Sequence, residues 1–232
     1  MAIKVAVSSR LGGEGKTTLS IILTQIALMK NKTVLAFDLN GKTSFNFNTS
    51  VAYLKDEPKF KGKFTLKTVL TKEDFDSNAD WIIIDCPSII SSDRLNESTR
   101  LALQNSDFIL ALVWPGIFSM DSETDLFSLM NDFPLILRRA AGYKEIFQFP
   151  LVKIGFVGNP TEAKFANAII KYQYSQYPVI GDLPRYKTIP ANISPDRKKW
   201  WSVGLQAHAR QPFELIYTRL ELLYRKLQAL HK

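Results

Sequence analysis

The chain has 232 residues, 46% of them hydrophobic, enough to bury a substantial core and better suited to one α/β domain over residues 1–232 than to two small ones. Thirty Lys and Arg against 22 Asp and Glu leave a formal charge of +8, which suits a polyanionic partner such as DNA or an anionic membrane, although a basic surface also serves solubility alone. The single cysteine, Cys86, excludes an internal disulfide, no secretory signal opens the chain, and the longest apolar run, Phe108 to Trp114, is too short to span a bilayer, so a cytoplasmic location is expected.

Along the chain, short apolar runs alternate with longer helical patterns. Ile3 to Val7, Thr33 to Phe37, Trp81 to Ile84, Phe108 to Val113, Lys153 to Val157 and Val179-Ile180 read as strands. They lack polar alternation, as strands do when helices cover both faces of a parallel sheet. The expected fold is therefore α/β, a doubly wound, mostly parallel sheet with helices on both faces. Between the first two runs, Lys16 to Met29 sets Leu19, Ile22, Leu23 and Ile26 on one helical face and completes a βαβ unit.

The segment Val51 to Asp76 carries Lys55, Lys59, Lys61, Lys63, Lys67 and Lys72 with Phe60 and Phe64 among them, and reads as an exposed excursion. Pro184 to Trp201 holds three prolines and the cluster Arg197-Lys198-Lys199-Trp200-Trp201, an irregular stretch suited to a functional loop or a surface lid. Near the end, Phe213, Ile216, Leu220, Leu223, Leu227 and Leu230 recur at spacings of three and four. That is an amphipathic helix expected to pack on the sheet, though membrane attachment or a partner helix would use the same pattern.

The chemistry concentrates after the first strand. Arg10-Leu11-Gly12-Gly13-Glu14-Gly15-Lys16-Thr17-Thr18 is a glycine-rich loop opening a helix, where backbone N–H groups and the helix dipole favour an anion and glycines allow close approach. Lys16 would reach the terminal phosphates of ATP or a related nucleotide, and the Thr17 hydroxyl would ligate Mg2+. A regular P-loop has glycine where this chain has Arg10. Asp80-Trp81-Ile82-Ile83-Ile84-Asp85-Cys86-Pro87 then delivers Asp85 to the C-terminal edge of the sheet, the usual ligand side, where it would hold magnesium through water. Cys86 beside it is expected to pack rather than react.

The loop, the Val34-Leu35-Ala36-Phe37-Asp38 strand and the Ile-Ile-Ile-Asp-Cys-Pro segment resemble those of the ParA/MinD ATPases, which carry a deviant Walker A motif. Phe156-Val157-Gly158-Asn159 is similar to the family strand whose terminal asparagine reads adenine, and Gly181-Asp182-Leu183-Pro184 to its following proline segment; the resemblance thus adds Asn159 and Pro184 to the nucleotide-binding set. It implies an Mg-ATP-dependent homodimer, association with DNA or a membrane, and a partner protein that triggers hydrolysis to position plasmids, chromosomes or division proteins. The basic balance favours the ParA branch, with non-specific DNA contacts near Arg185, Lys187, Arg197, Lys198 and Lys199 and a membrane unlikely.

Two departures bear on turnover. The family's signature lysine falls at Leu11, which cannot neutralise phosphate charge; the adjacent Arg10 is a candidate substitute. After the second strand the family has two acids separated by one residue, and this chain has Asp38-Leu39-Asn40. An amide can orient water but cannot accept its proton, so slow or absent basal hydrolysis is expected. The alternatives are a nucleotide-dependent binding or regulatory module that turns over little, and a MinD-like membrane-associated positioning ATPase.

Overall fold

The computed structural model describes residues 1–10, 15–40, 54, 57–89, 95–113, 133, 136–154, 164, 168, 171, 175–183 and 207–231. Seven strands among them form one parallel sheet: β1 (Ile3–Ser9), β2 (Val34–Asp38), β3 (Phe64–Lys67), β4 (Trp81–Asp85), β5 (Phe108–Val113), β6 (Leu151–Ile154) and β7 (Val179–Leu183). Their order is β3-β2-β4-β1-β5-β6-β7. The chain thus builds outward on one side of β1, returns to it through β4, and then continues on the other side from β5, which makes the doubly wound α/β sheet expected from the apolar runs.

Successive residues of a strand face opposite sides, so each central strand feeds two cores. Val5, Val7, Ile83, Phe108 and Leu110 face α1 (Lys16–Met29) and α3 (Ala207–Leu230). Ala6, Ile82, Ile84, Ile109 and Ala111 face α2 (Glu97–Asn105) and the helical residues 136–140. Asn96 caps α2, its side chain accepting the Thr99 N–H at 2.8 Å.

Helix α1 is more deeply enclosed than a single apolar face requires. Every residue from Leu19 to Leu28 is buried, polar Ser20, Thr24 and Gln25 included, because α1 packs on β4, β1 and β2 while α3 packs along it. Thr24 returns its hydroxyl hydrogen to the Ser20 carbonyl at 2.9 Å, which lets it sit in the core.

The C-terminal helix packs on the sheet as its pattern anticipated. Phe213, Ile216, Leu220 and Leu227 are buried, joined by Tyr217, whose ring stacks on Trp81 at 4.5 Å, while Leu230 is 71% exposed beyond the contact. The approach to β7 is close at Gly181: a Cβ there would lie 2.3 Å from the Ile216 Cγ1.

The segment around residues 51–76 corrects the expectation of an exposed excursion. Leu54, Phe60, Phe64, Leu70 and Phe75 are buried, and Phe64–Lys67 is an edge strand in parallel register with β2, Val34 opposite Phe64. An edge strand of four residues buries only alternate side chains on a few positions, so it leaves too little period in the sequence to register. The expected strand at Lys153 to Val157 begins two residues earlier, at Leu151, and its expected end lies outside the described residues. No helix among the described residues is long and apolar enough to cross a membrane.

Candidate functional site

The C-terminal ends of β1, β2 and β4 meet where the strand order reverses beside β1, the position at which open α/β sheets bind ligands. Gly15 opens α1 with φ +86°, a left-handed conformation that favours glycine, and its carbonyl accepts the Leu19 N–H at 2.9 Å. The first turn of α1 carries neither a side-chain cap nor an acid. The backbone amides and dipole of that turn are therefore not capped by a side chain of the helix itself.

Lys16 is the first residue of α1 and is 5% exposed. Its Nζ donates to the hydroxyls of Ser9, at the end of β1, and Ser88, just past β4, both at 2.9 Å. One helical residue further, the Thr17 hydroxyl donates to Asp85 Oδ2 at 2.7 Å, and Ser20, on the same helix face, reaches Asp85 Oδ1 at 3.4 Å. Asp38 and Asp85 end adjacent strands as register partners and are both buried. The Leu39 N–H donates to the Asp85 carbonyl at 3.0 Å, extending the β2–β4 ladder by one residue, and the Asn40 backbone N–H donates to Asp38 Oδ1 at 3.2 Å, which holds the Asp38 carboxylate at the strand end.

Burial pushes the Asp85 carboxyl up to about 7, and repulsion from Asp38 adds to it; the Thr17 hydroxyl and the Lys16 ammonium act in the opposite sense. Two buried acids thus lie side by side at the strand ends, a donor set of oxygens in which each carboxylate disfavours ionisation of the other until a cation is present. This suits a hard divalent cation such as Mg2+. Among the described residues no group of three or more His, Cys, Asp or Glu could hold a metal alone, and Mg2+ is generally held by one or two carboxylates together with substrate phosphates rather than by an all-protein cage. Cys86 is fully buried and burial raises its thiol pKa, in line with a packing role.

The structure therefore brings together Gly15, Lys16, Thr17, Asp38, Asn40 and Asp85, with Thr18 half-buried one position along α1 and Arg10 half-buried directly after β1. Gly12, Gly13 and Glu14, along with Leu11, lie outside the described residues, as do Asn159, Pro184, Arg185, Lys187, Arg197, Lys198 and Lys199. Sequence reasoning missed Ser9, Ser20 and Ser88. Ser20 follows Thr17 by three residues and was legible as a neighbour on one helix face; Ser9 and Ser88 meet Lys16 only through the pairing of strands.

The family model CbiA, the CobQ/CobB/MinD/ParA nucleotide binding domain, matches residues 5–196. The chain belongs to this family. Among solved structures with the family's ParA/MinD fold, a MinD cell division protein of Aquifex aeolicus is similar with a TM-score of 0.62 at 16% identity, over 94% of this chain and 96% of that one. A Borrelia burgdorferi protein assigned to plasmid partition and bound to AMPPNP is similar with a TM-score of 0.62 at 16% identity, over 96% and 99%. The septum site-determining protein MinD of Pyrococcus horikoshii, complexed with Mg-ADP, has a TM-score of 0.62 at 15% identity, over 97% and 98%. No curated protein sequence matches the chain.

Proposed function

We propose that this chain is a ParA-like ATPase that binds Mg-ATP, dimerises across its P-loop face, associates non-specifically with DNA for plasmid or chromosome partition, and responds to a partner protein that stimulates turnover. The observation that carries the reading is the convergence of Lys16, Thr17, Asp38 and Asp85 at the start of α1. Lys16 would exchange its serine hydroxyls for the terminal phosphates, a charge-assisted pairing about twice as strong as a neutral hydrogen bond. Thr17 would turn its hydroxyl oxygen from Asp85 toward the cation, and Asp85 would hold the cation's water. Held by Thr17 and, through water, by Asp85, Mg2+ would supply positive charge against the charge that develops on transfer. Asn40, at the position of the family's second acid, would orient the attacking water beside Asp38 but could not accept its proton.

An α3 whose main apolar face is occupied by the sheet supports the DNA branch over a membrane one, and the net charge of +8 suits DNA phosphates. A second reading, a nucleotide-dependent binding module with little turnover, is favoured by Asn40, an amide two residues past Asp38, to which its backbone N–H donates, where the family has a second acid. Calorimetric titration of ATP with Mg2+ into wild type, Lys16→Ala and Thr17→Ala tests the site; equal affinities in all three would sink it. Hydrolysis measured with and without duplex DNA separates the two readings. Turnover that rises with DNA supports the partition ATPase, whereas binding without turnover supports the module.

A further inference from the structure

Five lysines that the nucleotide site does not use gather at the opposite end of the sheet. Lys30 caps α1 and Lys32 leads into β2. Lys59 and Lys61 lie on and after the short 3₁₀ turn Pro58–Phe60, and Lys63 leads into β3. Parallel strands all begin at one edge, and α1 returns the chain to it; a helix rising 1.5 Å per residue carries Lys30 about 20 Å from Lys16. The two lead-ins are latched together, because the Lys63 carbonyl accepts the Val34 N–H at 2.7 Å and the Lys63 ammonium donates to the Asn31 side chain.

Lys30, Lys59 and Lys61 are exposed, while Lys32 and Lys63 are half-buried. Two of the ammonium groups rest over aromatic faces, Lys59 at 4.7 Å from the Phe60 ring centroid and Lys30 at 5.3 Å from that of Tyr217, so part of their ordering is complete before any partner arrives. Among the described residues the acids at this corner are Glu57, Asp80 and Glu221; Asp80 already accepts the Thr33 N–H and hydroxyl, and Glu221 lies against Tyr217, three acids against five lysines. Lysines serving only solubility gain nothing by crowding onto one rigid turn, where they repel one another; a line of phosphates relieves that repulsion. Phe60 and Phe64, the aromatic residues of the turn, are buried, which leaves Met1 and Met29 as the exposed apolar side chains near the corner. That is too little apolar surface for insertion into a lipid interface.

We propose that the corner formed by Lys30, Lys32, Lys59, Lys61 and Lys63 holds the phosphate backbone of duplex DNA without sequence preference. The inference rests on the DNA-binding reading above and adds a surface distinct from the loop residues 185–199. Because this surface lies at the far end from Lys16, DNA and nucleotide do not compete for it.

The test is anisotropy of a labelled duplex with Mg-ATP across a salt series, using the triple variant Lys30→Ala, Lys59→Ala, Lys61→Ala. The charge-matched control is Lys72→Ala, Lys164→Ala, Lys171→Ala, at exposed positions elsewhere. The corner variant should lose about 0.9 of the log–log salt slope, and roughly eightfold in affinity at 0.1 M salt, for each lysine that meets a phosphate, while the control keeps the wild-type slope. Unchanged Mg-ATP affinity in the corner variant shows that its site is intact. Equal losses in the two triple variants, or loss confined to Lys198→Ala, Lys199→Ala, overturns the corner and leaves DNA binding standing. A wild type that binds no DNA at any salt overturns both, as does one that instead floats with phosphatidylserine vesicles through these lysines.

Discussion

Replacing Asp85 with asparagine separates the charge at the end of β4 from its hydrogen bonds. The amide keeps a partner for the Thr17 hydroxyl, at 2.7 Å in the wild type, and for Ser20, so packing and hydrogen bonding are nearly preserved. What disappears is a carboxyl that burial and Asp38 together raise from its ordinary 3.8 to about 7. As pH rises, the unfolded chain gives up this proton first. The stability associated with Asp85 is therefore full below about pH 4 and is lost as pH climbs to about 7. At about 1.4 kcal/mol per pH unit, the loss is on the order of 4 kcal/mol. Without nucleotide, Asp85→Asn should then be more stable than wild type at pH 8 by up to that amount, with the difference closing toward pH 4. Urea denaturation from pH 4 to 9 measures it directly. The same variant should bind Mg-ATP about 10- to 100-fold more weakly, the usual effect of removing a group that orients a metal through water. A variant less stable than wild type at pH 8, or a gap that does not change with pH, would refute the account of Asp85 as a charge held in reserve for a cation.

Gly181→Ala should destabilise the protein by about 1–3 kcal/mol, because the new methyl meets the buried Ile216 at 2.3 Å; thermal unfolding reads the loss, and adding Ile216→Val should recover part of it. Tyr217→Ala removes the ring stacked on Trp81 and leaves a cavity between α3 and the sheet, so a loss of about 3–5 kcal/mol is expected in chemical denaturation; less than 1 kcal/mol would mean that α3 contributes little to the fold. Asn40→Asp restores a carboxylate beside Asp38 and should raise basal ATP hydrolysis at least tenfold in a phosphate-release assay, whereas an unchanged rate would show that the amide is not what limits turnover.

Much of the site was legible in one dimension because its chemistry is local. Gly15, Lys16 and Thr17 are consecutive, and a glycine turn between a strand and a helix can serve few purposes. Asp85 was legible for a related reason: an apolar run ending in a carboxylate must be a buried strand that stops at the sheet edge. The serines around Lys16 were not legible, since Ser9, at the end of β1, and Ser88, just past β4, are far apart in the chain and meet only through the pairing of β1 with β4.

The sequence alone was sufficient for the parallel α/β architecture, the first βαβ unit, the glycine that opens its helix and the apolar face of the last helix, all of which follow from period and from contiguous motifs. Tertiary structure decided the rest. It alone made β3 an edge strand, because four residues paired on one side carry no period of their own. It alone enclosed α1 on nearly all sides, because α3 returns from the far end of the chain to cover it. It alone set Asp38 against Asp85, because the register of β2 on β4 is a hydrogen-bonding choice between segments distant in sequence, and the energy of two buried charges depends on that distance and on the water excluded around them.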